Sequence, residues 1–322
     1  MRAIQVHEFG SPRVMRIQEV ADPHPGDGQV VIEVSSAGVM FRDTMVRSGS
    51  QPGVELHYIP GNEVGGIVIA VGAGVDANLV GQQFVARLQG SGGYAERAIA
   101  SVGELLAVPD GLTVQQAVAL LANGRTALGI VREARIGPTD RVLVEAAAGG
   151  VGSLLVQLAR NAGAAMVIGA ARGERKLQLL RELGVEAVDY GNPAWPDHVR
   201  ELTAGEGIDV VLDGLGGEIA LAAFELLRGA GRMIVFGYAS GTPVELTALD
   251  TFRRGASIVG YSPPRVMRRP DEMRQLSEEV MHMAAAGALK PIIGQSFPLK
   301  QAAEAHQAIE ARETTGKVLL EP

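Results

Sequence analysis

The chain has 322 residues, and its 29 basic and 36 acidic residues give a formal charge of −7 at pH 7. This length predicts two domains. An acidic chain without basic tracts interleaved with aromatic residues is not expected to bind nucleic acid. Because the sequence contains no cysteine, it excludes disulfide bonds, thiolate zinc sites, iron–sulfur clusters and a cysteine nucleophile. The first eight residues lack the apolar core of a signal peptide, which indicates a cytoplasmic protein.

The first 120 or so residues predict a compact β-rich domain with little helix. Their apolar runs are short, β-branched or alternating, and bracketed by turn residues, which is typical of strands. These runs cover residues 29–34, 66–72, 83–88 and 94–99.

From about residue 113 apolar runs alternate with helix-length amphipathic segments, a pattern that predicts parallel βαβ units. The predicted strands cover residues 141–146, 165–170, 187–190, 208–212, 232–236 and 257–260. The predicted helices between them cover residues 153–162, 174–183, 196–203, 218–227 and 246–254. Six strands with crossover helices are the inventory of a doubly wound dinucleotide-binding domain. After it, two helices over 271–286 and 299–312 and a strand over 317–320 are expected to return to the first domain.

The stretch 142–159 is apolar enough to suggest a membrane helix, since Glu145 is its single charge. Glycines interrupt its middle, however, and its length is marginal for a span. The stretch therefore predicts a buried strand, a turn and a buried helix, and no membrane association is expected.

The strongest local motif is the segment Ala146–Gly152, between a predicted strand and a predicted helix. It reads A-x-x-G-x-x-G, with alanine in place of the first glycine of the usual fingerprint. Small residues let the backbone approach a pyrophosphate, whose charge then lies at the helix N-terminus. Glycine-rich turns of this kind also occur where they only allow a strand and a helix to pack closely. Here the turn precedes a helix and is followed by four further βα steps, which favours a dinucleotide site. The predicted contacts are Ala148, Gly149, Gly150, Val151 and Gly152.

The end of the second predicted strand indicates which nicotinamide cofactor binds. NAD sites usually carry an acidic residue there, about twenty residues past the first glycine. Here the strand ends in alanine, and Arg172 and Lys176 follow at helical spacing. A guanidinium can form a fork with a 2′-phosphate and an ammonium adds a point charge, so NADPH is favoured over NADH. Two alternatives stay open: a solvated face that also includes Arg175, or a ribose contact from Glu174.

Several motifs, in the right order over essentially the whole chain, resemble those of the medium-chain dehydrogenase/reductase superfamily. They are residues 37–44, 47–49 and 59–66, the turn 146–152 and the closing segment 316–320. Within the superfamily the chain resembles the zinc-free quinone oxidoreductase branch, and it is also similar to the enoyl reductases of polyketide synthases. The resemblance implies an α/β protein with a GroES-like β-rich catalytic domain over residues 1–123, a Rossmann domain with a doubly wound six-stranded parallel sheet over residues 124–260, and a return to the catalytic domain over residues 261–322.

The resemblance also bears on metal binding. Zinc-dependent relatives carry cysteine and histidine ligands in the catalytic domain, including a Gly-His-Glu segment that here reads Gly61-Asn62-Glu63. The chain has no cysteine, and its six histidines form no H-x-x-x-H or H-x-H pair. No catalytic zinc is expected, and Glu63 is interpreted as a structural residue.

Without a Lewis acid, the reaction must suit an acceptor that needs little polarisation. A quinone, or an alkene conjugated to a carbonyl as in an enone or enal, meets this condition. The cofactor supplies the hydride and the protein orients it. Two alternatives are an enoyl-thioester reductase and a non-catalytic NADPH-binding sensor of the same fold.

By resemblance, the segment 40–45 faces the nicotinamide, and its candidate pocket residues are Met40, Phe41, Asp43 and Met45. Quinone oxidoreductases typically have asparagine where Met40 stands and tyrosine where Met45 stands. The two thioethers make the pocket more apolar and leave it without a certain proton donor. Asp43 either faces the pocket or braces a loop, and the bracing role is favoured.

The resemblance implies further cofactor contacts, each with an alternative. Thr126 would contact the nicotinamide carboxamide, or cap a helix. Tyr190 would pack near the adenosine phosphate, or belong to the core. Lys317 would approach the cofactor, although a solvated lysine is favoured. At the carboxyl edge of the predicted sheet, where ligands of this architecture bind, the candidates are Gly214, Phe236 and Gly237.

Two segments carry predictions about binding partners, a ligand phosphate in one case and a second copy of the chain in the other. The basic cluster at residues 263–270 would hold a phosphopantetheine or coenzyme A phosphate, or form a solvated loop, which is favoured. The apolar segment 256–260 is a candidate edge strand, and exposed edges invite pairing. Because relatives commonly dimerise through their last strands, a homodimer is expected that acts on a small quinone, enone or enal.

Overall fold

The computed structural model describes residues 1–51, 55–262 and 270–322. The predicted basic cluster at 263–270 therefore lies outside the described side chains. Contacts divide the chain into two compact units. The first contains Met1–Ala122, Met281–Gly287 and Pro291–Pro322, and the second contains Asn123–Val280 and Ala288–Lys290. The second unit thus continues past residue 260, where the sequence predicted its end.

Fifteen strands and nine helices lie in the described part of the chain. The strands are β1 (Arg2–Val6), β2 (Met15–Glu19), β3 (Gln29–Val39), β4 (Glu63–Val71), β5 (Gln83–Arg87), β6 (Arg97–Ser101), β7 (Leu105–Ala107), β8 (Arg141–Val144), β9 (Met166–Ala171), β10 (Glu186–Asp189), β11 (Ile208–Asp213), β12 (Leu227–Val235), β13 (Ser257–Gly260), β14 (Ile293–Pro298) and β15 (Lys317–Glu321). The helices are α1 (Phe41–Ser48), α2 (Val114–Ala134), α3 (Gly152–Asn161), α4 (Glu174–Glu182), α5 (Trp195–Leu202), α6 (Gly217–Glu225), α7 (Ala248–Arg254), α8 (Pro270–Ala285) and α9 (Ala302–Glu310).

The first unit is β-rich. Six of its strands lie in the order β14-β15-β3-β4-β5-β7, β6 also pairs with β3, and β1 and β2 form a separate antiparallel pair. Strand β3 is the long centre of this arrangement because it pairs with β4, β6 and β15. The C-terminal strands β14 and β15 complete the sheet, so the end of the chain returns to the unit in which it begins.

The second unit is a six-stranded parallel sheet in the order β10-β9-β8-β11-β12-β13. Its central strands are buried on both faces, which explains why they appear in the sequence as continuous apolar runs. The chain builds outward from β8 in one direction and then from β11 in the other, so the strand order reverses between these two. The predicted fold class, a β-rich domain with a doubly wound sheet, is confirmed.

Strand β12 begins five positions before the predicted one, at Leu227 rather than Arg232. The intervening Gly229-Ala230-Gly231 segment has no strand-like pattern, and the pairing with β11 shifts register at this point. Pairing to a neighbouring strand, not local propensity, extends β12.

Among the described residues, no helix combines the length and apolar character needed to cross a bilayer.

Candidate active site

The turn between β8 and α3 is built around Ala146. This residue has φ of 46°, in the left-handed region that non-glycine residues rarely adopt. Its carbonyl accepts a hydrogen bond from the amide of Gly149 at 2.9 Å. The alanine of the altered fingerprint therefore keeps a tight turn at the cost of some backbone strain.

Gly152 brings the start of α3 against this turn. A Cβ at this position would lie 2.3 Å from the Ala146 carbonyl oxygen and 2.7 Å from the Ala147 Cα, distances that no side chain tolerates. At Gly149 a Cβ would lie 3.2 Å from the same oxygen, so that position is much less crowded. The close approach places the start of α3 at the sheet edge, and there the amides of Ser153 and Leu154 already donate to the carbonyls of Gly149 and Val151 at 2.9 and 3.1 Å.

The other predicted cofactor residues of the second unit follow neighbouring strands. Because the carboxyl ends of parallel strands share one edge of a sheet, the structure brings together along that edge the turn at 146–152, Arg172, Tyr190, Gly214, Phe236 and Gly237. The Phe236 ring packs on Gly214, where a Cβ would lie 2.6 Å from the ring Cε2. Tyr190 is half-buried and packs against the core as well as lying at the edge.

Arg172 is exposed directly after β9, and Lys176 lies in the first turn of α4, half-buried. The Arg172 side chain extends over the loop after β10, with its Nε 3.3 Å from a Cβ built on Gly191. Glu174 is directed elsewhere, since its Oε1 accepts a hydrogen bond from Arg181 at 2.5 Å. The edge near β9 presents Arg172, and Asp189 at the end of β10 places a carboxylate beside it, since its Oδ2 accepts the Gly173 amide at 3.4 Å.

Thr126 lies in the interior of α2, which begins at Val114. The interpretation of Thr126 as a helix cap is therefore wrong. The helix continues through this position because its apolar positions on either side are buried. The cofactor contact expected of Thr126 stays a prediction.

In the first unit, the four candidate pocket residues separate into two groups. Met40 and Met45 are partly exposed and Phe41 is 40% exposed, so three apolar side chains are accessible around the start of α1. Asp43 points inward and is buried. Its Oδ2 accepts the Met40 amide at 2.9 Å, which caps α1. These contacts favour the bracing interpretation of Asp43.

Asp43 belongs to a buried polar chain that sequence analysis missed. The Tyr94 hydroxyl lies 3.2 Å from Asp43 Oδ2 and 3.1 Å from His306 Nε2. Burial raises the pKa of Asp43 to about 6 and raises that of Tyr94 well above its ordinary value. Burial, together with the charge of Arg47, lowers the pKa of His306 to about 3, so the imidazole is neutral. The network holds α1 against α9 from within the unit.

Lys317 and Glu63 form a second buried pair, and the interpretation of Lys317 as a solvated lysine is wrong. Lys317 is 2% exposed and its ammonium forms an ion pair with the Glu63 carboxylate, which is fully buried. Glu63 also accepts the Ala122 amide at 2.7 Å. Position 38 must be glycine, because a Cβ there would lie 2.8 Å from both the Glu63 Oε2 and the Lys317 Cε.

The donor set of the first unit does not fit a catalytic zinc ion. Asn62 stands where zinc-dependent relatives have histidine, and the carboxylate of Glu63 is already neutralised by Lys317. Within the described ranges, no three His, Asp or Glu side chains are grouped so that they could share an ion. An amide in place of an imidazole is a poor zinc ligand.

A doubly wound sheet with a glycine turn at its switch point defines a dinucleotide-binding α/β protein. Residues 26–110 match the family described as alcohol dehydrogenase GroES-like domain, and residues 150–281 match zinc-binding dehydrogenase. The chain is 35% identical to a quinone oxidoreductase of Sus scrofa over 99% of its own length and 97% of that protein. It is 31% identical to a 2-haloacrylate reductase of Burkholderia over 99% of its own length and 98% of that protein.

The chain is also similar to proteins of known structure. The Escherichia coli quinone oxidoreductase complexed with NADPH is similar at 28% identity and a TM-score of 0.91, with all of both chains covered. A mycobacterial protein complexed with NADPH reaches 35% identity and the same TM-score of 0.91, again over all of both chains. The chain therefore belongs to the medium-chain dehydrogenase/reductase superfamily, and within it to the quinone oxidoreductase branch.

Proposed function

We propose that the protein is a zinc-independent oxidoreductase, cytoplasmic as its sequence predicts, that uses NADPH to reduce a quinone or an α,β-unsaturated carbonyl compound. The observation that carries this proposal is the tight turn at Ala146–Gly152 at the switch point, with Arg172 at the end of the adjacent strand. The names of its relatives, quinone oxidoreductase and 2-haloacrylate reductase, support the acceptor class. The NADPH complexes among similar structures support the cofactor.

The residues of the sheet edge fit a phosphorylated dinucleotide. The uncrowded backbone at Gly149, next to the N-terminal end of α3, suits a pyrophosphate. Arg172 and Lys176 suit a 2′-phosphate, as a fork and a point charge. When bound, the nicotinamide supplies the hydride. In this proposal Tyr190, Gly214, Phe236 and Gly237 line the cofactor along the edge, and Thr126 orients the carboxamide.

The acceptor pocket is proposed to be apolar. Met40, Phe41 and Met45 are the accessible apolar side chains around the start of α1, where Arg42 is also exposed. Asp43 is directed away from them and acts as a positioning residue, since its carboxylate holds the N-terminus of α1. Flexible thioethers and an aromatic ring suit planar, conjugated acceptors such as quinones and enones.

The decisive experiment is a stopped-flow screen of NADPH oxidation by the purified protein with four acceptor types. These are quinones, enones, enals and enoyl thioesters. We expect rapid single-turnover oxidation with quinones, enones or enals. Oxidation by enoyl thioesters alone would replace the proposal with a biosynthetic enoyl reductase. NADPH binding without turnover on any of the four would indicate a sensor.

Replacing Arg172 with alanine is expected to weaken NADPH binding by well over tenfold and to leave NADH binding nearly unchanged. The reason is the loss of a charge-assisted fork to the 2′-phosphate, which only NADPH carries. Affinities are measured by fluorescence titration with both nucleotides. Arg200→Ala serves as a matched control, because Arg200 is also exposed but lies on α5. Equal losses for the two nucleotides would reject the phosphate-binding role.

We also propose a homodimer that forms along β13. This strand is the last of the six-stranded sheet and pairs with β12 alone in the described sheet, so its other edge is free for pairing. Nearby on α7, Phe252 is 81% exposed and Leu249 is 49% exposed, a marked apolar surface for a free monomer. Light scattering at micromolar concentration is expected to give twice the chain mass, and a monomeric mass would refute the dimer.

A further inference from the structure

Two acidic residues end the neighbouring strands at the switch point of the parallel sheet. Asp213 is the last residue of β11, and Glu145 follows β8, its direct neighbour. Both side chains are fully buried. Each stands directly before a loop of the proposed cofactor edge: Glu145 before the turn at 146–152, and Asp213 before the loop at 214–217.

The hydrogen bonds of this pair leave three oxygen atoms without donors. Asp213 Oδ1 accepts the amides of Leu215 and Gly216, both at 2.8 Å. Asp213 Oδ2 and both carboxyl oxygens of Glu145 are buried and receive no hydrogen bond from the described residues. Two ionised carboxylates in this position would bury two like charges and three unsatisfied acceptors, a costly arrangement.

One proton removes most of this cost. A protonated Glu145 can donate its O–H to Asp213 Oδ2, which pairs the donor with an otherwise orphaned acceptor and leaves a single charge on two carboxyl groups. Asp213 is the more suitable carboxylate, because two amides already stabilise its negative charge. Consistent with this assignment, burial and the neighbouring Asp213 carboxyl raise the pKa of Glu145 well above its ordinary value.

We propose that Glu145 is a positioning residue of the cofactor site that works as a neutral carboxylic acid, donating to Asp213 and tying the turn at 146–152 to the loop at 214–217. The part of this inference that concerns NADPH rests on the proposed function. Loss of the proton would place a second negative charge beneath the edge that receives the pyrophosphate. It would also break the link between the two loops.

The direction of the pH dependence follows from the raised pKa. The folded protein keeps the Glu145 proton at pH values where the unfolded chain has released it. The stabilising contribution is therefore complete below the ordinary pKa of glutamate and is lost as pH rises toward the folded pKa. Over that window the unfolding equilibrium constant is expected to rise about tenfold per pH unit from this group. Glu145→Gln has no proton to lose and keeps an N–H donor, so it lacks this contribution.

The test compares the wild-type protein, Glu145→Gln and the exposed control Glu201→Gln. Urea unfolding and NADPH affinity are measured from about pH 5 to pH 9. We expect Glu145→Gln to bind NADPH like the wild type at the acidic end and to gain stability relative to the wild type as pH rises. NADPH affinity should fall as Glu145 ionises in the wild type and in Glu201→Gln, but not in Glu145→Gln. Glu201→Gln should follow the wild type throughout.

A second measurement detects the proton itself. The infrared spectrum of the folded wild-type protein at neutral pH should contain a protonated carboxyl band that is absent from Glu145→Gln and present in Glu201→Gln. An unchanged band, or identical pH profiles of unfolding in the wild type and Glu145→Gln, would overturn the inference. Since neither the infrared nor the unfolding measurement requires a bound nucleotide, a failure to bind NADPH would count against the proposed function and not against the protonated pair.

Discussion

Replacing Lys317 with methionine is expected to lower the free energy of unfolding by about 3–5 kcal/mol, the usual loss when one partner of a buried ion pair is removed. The variant leaves the Glu63 carboxylate buried without its counter-charge, with the Ala122 amide as its remaining hydrogen-bond donor in the described structure. Urea denaturation followed by circular dichroism measures the change.

Two further variants test whether the lost stability comes from the unpaired charge of Glu63. In Lys317→Met with Glu63→Gln the buried charge is removed together with its partner, so most of the lost stability should return. Lys300→Met makes the same change at an exposed position, and its free energy of unfolding should stay within about 0.5 kcal/mol of the wild type. A single Lys317→Met variant as stable as Lys300→Met would contradict the buried pair.

Replacing Gly152 with valine is expected to abolish measurable NADPH binding and to lower the free energy of unfolding by about 3 kcal/mol, at the upper end of overpacking effects. Its Cβ would begin 2.3 Å from the Ala146 carbonyl oxygen, a backbone atom that no rotamer change can move away. The helix α3 must shift away from the turn, and its N-terminal amides shift with it. Nucleotide titration and thermal unfolding measure the two effects.

Substitutions at two other glycines distinguish a clash within the protein from a clash with the cofactor. Gly149→Ala places its Cβ 3.2 Å from the same oxygen, so the folded protein should tolerate it within about 1 kcal/mol while NADPH binds more weakly. Gly229→Ala, which has no atom within 4 Å of the new Cβ, should change neither stability nor binding. Normal NADPH binding by Gly152→Val would show that this turn is not the pyrophosphate site.

Much of the second unit could be predicted because its strands are apolar on both faces and its helices are amphipathic, two patterns with different periods. The positions of Arg172, Gly214 and Phe236 followed from the same reasoning, since residues after parallel strands share one edge. The first unit was less predictable in detail. Tyr94 was assigned to a strand, whereas β6 begins at Arg97 and the tyrosine hydroxyl joins Asp43 and His306.

The errors concern residues whose environment depends on distant parts of the chain. Lys317 looked like an ordinary terminal lysine because its partner Glu63 lies 254 positions away. Thr126 was a candidate helix cap, yet packing carries α2 through this position. One signal was available: Glu145 is the single charge in a long apolar stretch, and such a residue must either be neutral or find a partner.

The order of the elements, the parallel sheet with its glycine turn, and the basic residues that follow the second strand of that sheet can all be read from the amino-acid sequence. These depend on short-range periodicity, turn chemistry and residue type, which are local properties. Which ionisable groups lose contact with water, and which neighbours they meet, depends on the folded chain. Burial raises the pKa of Glu145 and of Asp43, and their burial depends on segments brought together from remote parts of the chain.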